Sequence, residues 1–234
     1  MEKKSALSVA SALAQAIESI NESRTFEETL DAIVGATRTS VPEFDHVGIS
    51  LLHRDGTIET KAGTDQLVWE LDAIQYDLGE GPCVHAIEQE PVVVVRNLRH
   101  DQRWPRYIPA AAAKGVRSQL GIRLFTAGKH IGGLNLYSTD SDDVDDASVE
   151  TARLFATHAA VMLGHAQEQD QLNQALQSRK LIGQAIGILM ERYSMDADRA
   201  FQFLVRASST SNIKLRDVAE ELVTSSIERY RKTT

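Results

Sequence analysis

Residues 181–223, LIGQAIGILMERYSMDADRAFQFLVRASSTSNIKLRDVAEELV, contain three short apolar patterns with helical spacing. In the first pattern, Ile182, Ala185 and Leu189 recur at steps of three and four residues, which places them on one face of a helix. Two similar patterns follow, and Asp196 stands where an N-cap would begin the second helix. The stretch therefore predicts three amphipathic helices separated by turns.

Three segments of this module, two of them separated by a polar run, resemble a known domain family. The Ser-Thr-Ser-Asn run at 209–212 should separate the second helix from the third. The segments IGQAIGILMERY (182–193), DADRAFQFLVRAS (196–208) and NIKLRDVAEELV (212–223) resemble the ANTAR domain. This resemblance implies an RNA-binding regulator of transcription termination, in which two modules of a dimer each hold one of a pair of stem-loops in a nascent transcript.

Several polar side chains in this module are candidates for RNA contact. Arg planes stack on bases and form paired hydrogen bonds to phosphates, whereas Asn and Gln can pair with base edges. The candidates are Arg179, Lys180, Gln184, Arg199, Arg206, Asn212, Lys214 and Arg216. The alternative for each arginine is a solvated helix face. Ile186 stands where ANTAR sequences often have Lys, so one basic contact is absent from this set.

Charge is distributed unevenly along the chain. The formal net charge is −8 overall, yet residues 177–234 contain ten Lys and Arg against seven Asp and Glu. A basic C-terminal region in an otherwise acidic chain is typical of a protein that binds a polyanion through that region. Exposed helices often carry mixed charge, so the asymmetry supports nucleic-acid binding only together with the ANTAR resemblance.

The central part of the chain changes from helical spacing to alternation. Apolar residues alternate with small or polar ones in 46–52 and on both sides of a turn at 127–129, and Asp55-Gly56 predicts a hairpin turn. The VVVV run at 92–95 predicts a strand buried on both faces. Because helices flank these strands without regular strand–helix alternation, the pattern predicts an α+β fold with an antiparallel sheet.

Three segments of this central part resemble a GAF domain. They are YDLGEGPCVHAI (76–87), NLRHDQRWPRY (97–107) and GIRLFTAGKHIGGLNLYS (121–138). The resemblance implies a PAS-like sensory sheet, and the order of the two modules is similar to that of actinobacterial GAF–ANTAR regulators. The expected organisation is an N-terminal helix (1–23), a GAF-like domain (24–165), a connecting helix (166–176) and an ANTAR domain (177–234).

Long helices are expected to join two copies of the chain. No proline interrupts the sequence from Asp146 to the C-terminal module, which favours a long connecting helix. Polar residues break its apolar seam, but a homodimer would supply the missing partner surface. The apolar residues that a dimer would cover are Val9, Leu13, Ile17, Val161, Leu172 and Leu176.

The GAF-like region offers a candidate ligand pocket but no catalytic constellation. The histidines lack metal-ligand spacing, and the lone cysteine has no partner for an intramolecular disulfide. No metal, cofactor or enzymatic activity is therefore expected, although an unknown small molecule could bind. The candidate pocket residues are Trp69, Tyr76, Cys83, His85 and Trp104, for which ordinary core packing is the alternative.

Two other classes of protein compete with the RNA-binding regulator. A DNA-binding transcription factor with a helix-turn-helix tail would need a basic recognition helix, but KLRDVAEELV contains Asp217, Glu220 and Glu221. A redox enzyme would depend on Cys83 near a helix start. No apolar run is long enough for a membrane helix, so a cytoplasmic protein is expected.

Overall fold

The computed structural model describes residues 25–126 and 128–233. The predicted N-terminal helix, including Val9, Leu13 and Ile17, lies outside these residues. The chain divides into two compact units, Met1–Gln167 and Glu168–Thr234. None of the helices within the described ranges combines the length and apolar content needed to span a membrane.

The N-terminal unit is built on one antiparallel sheet of five strands. The strands are β1 (His46–Leu52), β2 (Ile58–Gly63), β3 (Val92–Val95), β4 (Ser118–Thr126) and β5 (Lys129–Ser138). Their order across the sheet is β2-β1-β5-β4-β3. The antiparallel α+β fold expected from the alternating segments is confirmed, and the two predicted hairpins join β1 to β2 and β4 to β5.

Helices cover both faces of this sheet. They are α1 (Phe26–Ser40), α2 (Gln66–Leu78), α3 (Pro82–Glu88), α4 (Tyr107–Ala113) and the first part of α5 (Asp146–Tyr193), with a short 3₁₀ turn at Leu98–His100. Side chains of α1 and α5 share one apolar cluster with the inward-facing leucines of β4 and β5. Side chains of α2, α3 and α4 form a second cluster with the opposite face.

The two faces differ because side chains alternate along each strand. On β5, Leu134 and Leu136 belong to the apolar cluster with α1 and α5, whereas Asn135 and Tyr137 project to the α2 and α3 side. On this second side, a Cβ atom at Gly121 would lie 2.7 Å from the carbonyl oxygen of Pro82. The absence of a side chain at Gly121 therefore lets the start of α3 lie directly on the sheet.

Strand β3 is less enclosed than the VVVV pattern indicated. Val93 and Val95 are buried, but Val92 and Val94 are only half-buried. The reason is topological, because β3 pairs with β4 alone and forms an edge of the sheet. The prediction of burial on both faces was therefore wrong for one face.

The C-terminal unit contains three helices with a small common core. These are the end of α5, α6 (Ala197–Ser211) and α7 (Leu215–Thr233). The buried residues of the core are Ala185, Leu189, Ala200, Leu204, Ala219 and Val223. The predicted apolar faces supply this core, but Met190, Tyr193 and Phe201, which belong to the same apolar patterns, are exposed.

Helix α6 begins where the sequence predicted, but it ends later. Asp196 is the N-cap, as predicted, and its Oδ1 accepts a hydrogen bond from the backbone N–H of Arg199 at 2.8 Å. The predicted break at 209–212 is shorter than expected, because the helix continues to Ser211. It ends only at Asn212, which has a φ of 54° in the left-handed region that Asn tolerates at helix ends.

Candidate ligand site and candidate nucleic-acid interface

A buried carboxyl group lies between α2 and the sheet of the N-terminal unit. Asp72 is fully enclosed and accepts hydrogen bonds from Thr60 Oγ1 at 2.7 Å and Asn135 Nδ2 at 2.9 Å. It also accepts one from Ser50 Oγ at 3.2 Å and one from the hydroxyl of Tyr137. We refer to these five residues as the polar network. It ties α2 to strands β1, β2 and β5.

Two opposing effects act on the charge of Asp72. Burial disfavours the ionised form and raises the pKa of this carboxyl group above its ordinary value. The four donors act in the opposite direction, since a carboxylate is the natural acceptor for that many hydrogen bonds. Burial is the larger effect, so Asp72 is held at an energetic cost that its partners only partly offset.

The start of α3 is connected to this network through three side chains. Gln75 accepts a hydrogen bond from the backbone N–H of Cys83 at 2.8 Å and donates one to the Tyr137 hydroxyl at 2.9 Å. The hydroxyl of Tyr76 donates to Ser50 Oγ and lies 3.5 Å from the sulfur of Cys83. A shift of α3 would therefore disturb hydrogen bonds that reach Asp72.

Burial also determines the chemistry of Cys83. It raises the pKa of the Cys83 thiol to about 12, and the nearby Asp72 acts in the same direction. The thiolate is the nucleophilic form of cysteine. Near neutral pH almost none of it would be present, so this thiol is suited to packing rather than to redox chemistry.

Two buried amide atoms near the network have no hydrogen-bond partner among the described residues. They are Gln119 Nε2 and Asn135 Oδ1. In the register of β4 and β5, Asn135 lies opposite Gly121, so Gln119 is a diagonal neighbour on the same face. One free donor and one free acceptor on this face are suited to a small polar ligand or to water.

The five candidate pocket residues fall into three groups of contacts. Tyr76 and Cys83 join the polar network, as described above. Trp104 packs edge-to-face with His85 at 5.6 Å between ring centroids and also carries the guanidinium of Arg103 over its ring. Trp69 lies against β2 and is partly exposed. The structure therefore does not assemble all five into one pocket.

Sequence reasoning missed most of the polar network. A usable signal was present in the central strand β5, where Asn135 and Tyr137 alternate with Leu134 and Leu136. Polar residues on one face of a central strand must meet polar partners once they are buried. That pattern predicts a buried polar site under the helices on this face.

The C-terminal unit presents a basic and aromatic stripe on α6. Arg199, Phe203 and Arg206 are spaced by four and three residues, so they lie along one side of the helix. All three side chains are exposed. Arg199 is 3.6 Å from Asp196 in an exposed ion pair, which contributes little to stability. The stripe brings two of the predicted RNA contacts together.

The candidates around the start of α7 have local structural roles as well. The backbone of Asn212 forms the end of α6, and the carbonyl oxygen of Lys214 accepts a hydrogen bond from the N–H of Val218 at 3.1 Å. Arg216 lies 3.4 Å from Asp217. The side chains of Asn212, Lys214 and Arg216 are exposed and available for contact.

The candidates on α5 are distributed over different parts of the helix surface. Arg179 and Lys180 are exposed. Gln184 is also exposed, and it lines a groove of about 530 Å³ between α5 and α7. The same groove contains Arg192, which donates a hydrogen bond to Ser226 Oγ at 3.2 Å and was not among the candidates.

Comparisons with known proteins agree with this division of the chain. A GAF domain family model matches residues 23–164, and an ANTAR domain model matches residues 170–223. No curated protein matches the chain.

Solved structures resemble the N-terminal unit in fold. The GAF domain of phosphoenolpyruvate-protein phosphotransferase from Acinetobacter is 17% identical with a TM-score of 0.56, and the match covers 70% of this chain and 97% of that chain. Free methionine-R-sulfoxide reductase from Neisseria meningitidis, in complex with its substrate, is 18% identical with a TM-score of 0.57 over 71% of this chain and 93% of that chain. At these identities the likeness shows the fold alone.

Proposed function

Because the chain belongs to the GAF domain family and carries an ANTAR domain after it, we propose that it is a transcription antitermination regulator that binds RNA. The GAF–ANTAR architecture is typical of regulators that respond to a signal. The observation that carries the proposal is the ANTAR match over a module whose α6 exposes Arg199 and Arg206 on one side. Sequencing of RNA cross-linked to the protein in cells tests it, and recovery of DNA instead would favour a DNA-binding factor.

We assign separate tasks to the parts of the chain. Residues 24–165 act as the sensor, residues 166–176 connect it to the output, and residues 177–234 bind paired stem-loops of nascent transcripts in the cytoplasm. Residues 1–23 take part in dimer formation. The free amide atoms of Gln119 and Asn135 support a small polar molecule as the signal in the sensor.

A redox enzyme is the less favoured alternative. The fold of the N-terminal unit is shared with a methionine sulfoxide reductase, but fold likeness alone does not transfer an activity. The pKa of Cys83, raised to about 12, disfavours a nucleophilic thiolate. A methionine sulfoxide reductase assay with a thiol reductant would overturn the assignment if turnover depended on Cys83.

Single basic side chains of the C-terminal unit should contribute measurably to RNA affinity. Changing Arg206 or Lys214 to alanine should weaken binding to a two-stem-loop RNA by about fivefold, the equivalent of losing about 1 kcal/mol of hydrogen bonding. Removal of one phosphate contact should also reduce the salt slope of the affinity by about 0.7. Filter-binding titrations over a range of salt concentrations measure both quantities.

The matched control for these variants is Arg153→Ala. Arg153 is an exposed arginine of the N-terminal unit, so its replacement changes net charge by the same amount. The Arg153→Ala variant should bind the two-stem-loop RNA with the same affinity and the same salt slope as the wild type. If Arg206→Ala and Lys214→Ala also behave like the wild type, these two residues do not belong to the RNA site.

We also propose that the regulator is a homodimer joined through α5. Val161, Leu172 and Leu176 are 42%, 61% and 55% exposed, which leaves large apolar side chains of this helix uncovered in one protomer. Two linked modules would bind two neighbouring stem-loops more tightly through effective concentration alone. Light scattering should give about twice the chain mass of 25.8 kDa. A monomer mass both with and without RNA would contradict this proposal and the two-loop mechanism.

A further inference from the structure

Two aromatic side chains of the C-terminal unit face solvent next to each other. Tyr193, at the end of α5, is 58% exposed, and Phe203, on α6, is 48% exposed. Their ring centroids are 6.5 Å apart and their planes differ by 30°. The small core of this unit does not include either ring. The two rings therefore contact each other while each keeps about half of its surface in water.

Both charged residues of the stripe on α6 are arginines, whereas the acidic Asp198 in the first turn lies on a different side of the helix. Phe203 lies between Arg199 and Arg206 on the stripe defined above. Thr210 continues the same side of the helix, so no acidic residue interrupts the stripe within α6. Asp196, which pairs with Arg199, is the helix N-cap and is itself exposed. An aromatic surface with an arginine on each side is suited to a partner that carries both flat rings and negative charge.

We propose that Tyr193 and Phe203 form a stacking surface for unpaired bases of an RNA loop, with Arg199 and Arg206 contacting the adjacent phosphates. This inference rests on the proposed RNA-binding function and assigns two further residues to it. Proteins recognise RNA sequence mostly in single-stranded loops, where exposed bases stack on aromatic side chains. A selection of RNA-contact candidates by positive charge cannot identify Tyr193 or Phe203, because aromatic rings that stack on bases are uncharged.

A second copy of the chain fits this surface less well than RNA does. A twofold contact through the stripe would place the stripe of one protomer against the same stripe of its partner. Arg199 and Arg206 of both protomers would then be brought together around the aromatic rings. Burying like charges in this way is unfavourable, whereas phosphates neutralise them.

The test uses the full chain and a library of two-stem-loop RNAs with randomised loops, from which the wild-type protein selects its ligands. Phe203→Ala should lower the affinity for a selected RNA by roughly fivefold to 100-fold, the effect of losing one stacked base. The salt slope should stay unchanged, since no phosphate contact is removed. Phe203→Trp should retain affinity, and its fluorescence should be quenched when RNA binds.

The matched control is Phe201→Ala on the same helix. Phe201 is 40% exposed, but it lies two residues from Phe203 and so projects from a different side of α6. This variant should bind like the wild type. The same RNA with abasic loops should bind the wild type and Phe203→Ala equally, because both complexes then have no stacked base.

The outcomes separate this inference from the function on which it rests. If the wild type selects no RNA from the library, the proposed function itself fails. If the wild type binds but Phe203→Ala binds equally well with unchanged circular dichroism, the stacking surface is wrong. If Phe203→Ala changes only the mass measured by light scattering, the surface belongs to a contact between protomers and the inference is overturned.

Discussion

Replacing Asp72 with alanine is expected to lower the free energy of unfolding of the N-terminal unit by about 3 kcal/mol. The substitution leaves three buried donors and the half-buried hydroxyl of Thr60 without their acceptor, and each unsatisfied buried group costs about 1–3 kcal/mol. The variant also no longer buries a carboxyl group, which burial disfavours in its ionised form, and this gain in stability offsets part of the loss. The loss of several donors' partners at once should outweigh this gain.

Urea denaturation followed by tryptophan fluorescence measures this effect. The chain has two tryptophans, Trp69 and Trp104, and both lie in the N-terminal unit, so their fluorescence reports on that unit. The matched control is Asp77→Ala, because Asp77 is on the same helix but exposed, and its effect should stay within about 0.5 kcal/mol. Equal urea midpoints for the Asp72 and Asp77 variants would show that the polar network does not stabilise the fold.

Replacing Ala185 with aspartate should unfold the C-terminal unit and abolish RNA binding. Ala185 is completely enclosed within a core of only six buried residues. An unpaired carboxylate in such a place costs several kcal/mol, a large fraction of the stability that a module of this size can have. Loss of far-UV circular dichroism and rapid proteolysis of the C-terminal unit would report the unfolding, while the tryptophan signal stays unchanged.

The matched control for this variant is Ala207→Asp. Ala207 lies on the apolar side of α6, but it is only half-buried, so an introduced carboxylate can reach water. Its effect should be clearly smaller. If Ala185→Asp resists proteolysis as well as the wild type does, the assignment of Ala185 to the core is wrong.

The helices and strands could be predicted from the sequence because their signals are local. Ala185 and Leu189 share a helix face, and Thr25 and Glu28 form the capping box that begins α1. The position of Asp72 could not be predicted in this way. Its partners Thr60 and Asn135 lie 12 and 63 residues away along the chain, so only the assembled sheet brings them together.

The candidate RNA surface was predictable to a similar degree. Helical spacing alone places Arg199 and Arg206 on one side of α6. The contact between Phe203 and Tyr193 depends instead on how α5 and α6 pack, and exposure of the rings cannot be deduced from their apolar character. Sequence reasoning therefore found the charged part of the surface and missed its aromatic part.

If the proposed sensor binds its ligand beside Asn135, the close contact of α3 with the sheet at Gly121 would set the order of events. A ligand could reach Asp72 and Asn135 from that side only after the start of α3 has moved away from the strand. Binding would then follow opening, as in conformational selection. At high ligand concentration the observed rate of ligand binding should level off at the rate at which α3 opens. The response time of the sensor would then be limited by this opening and not by the rate of ligand encounter.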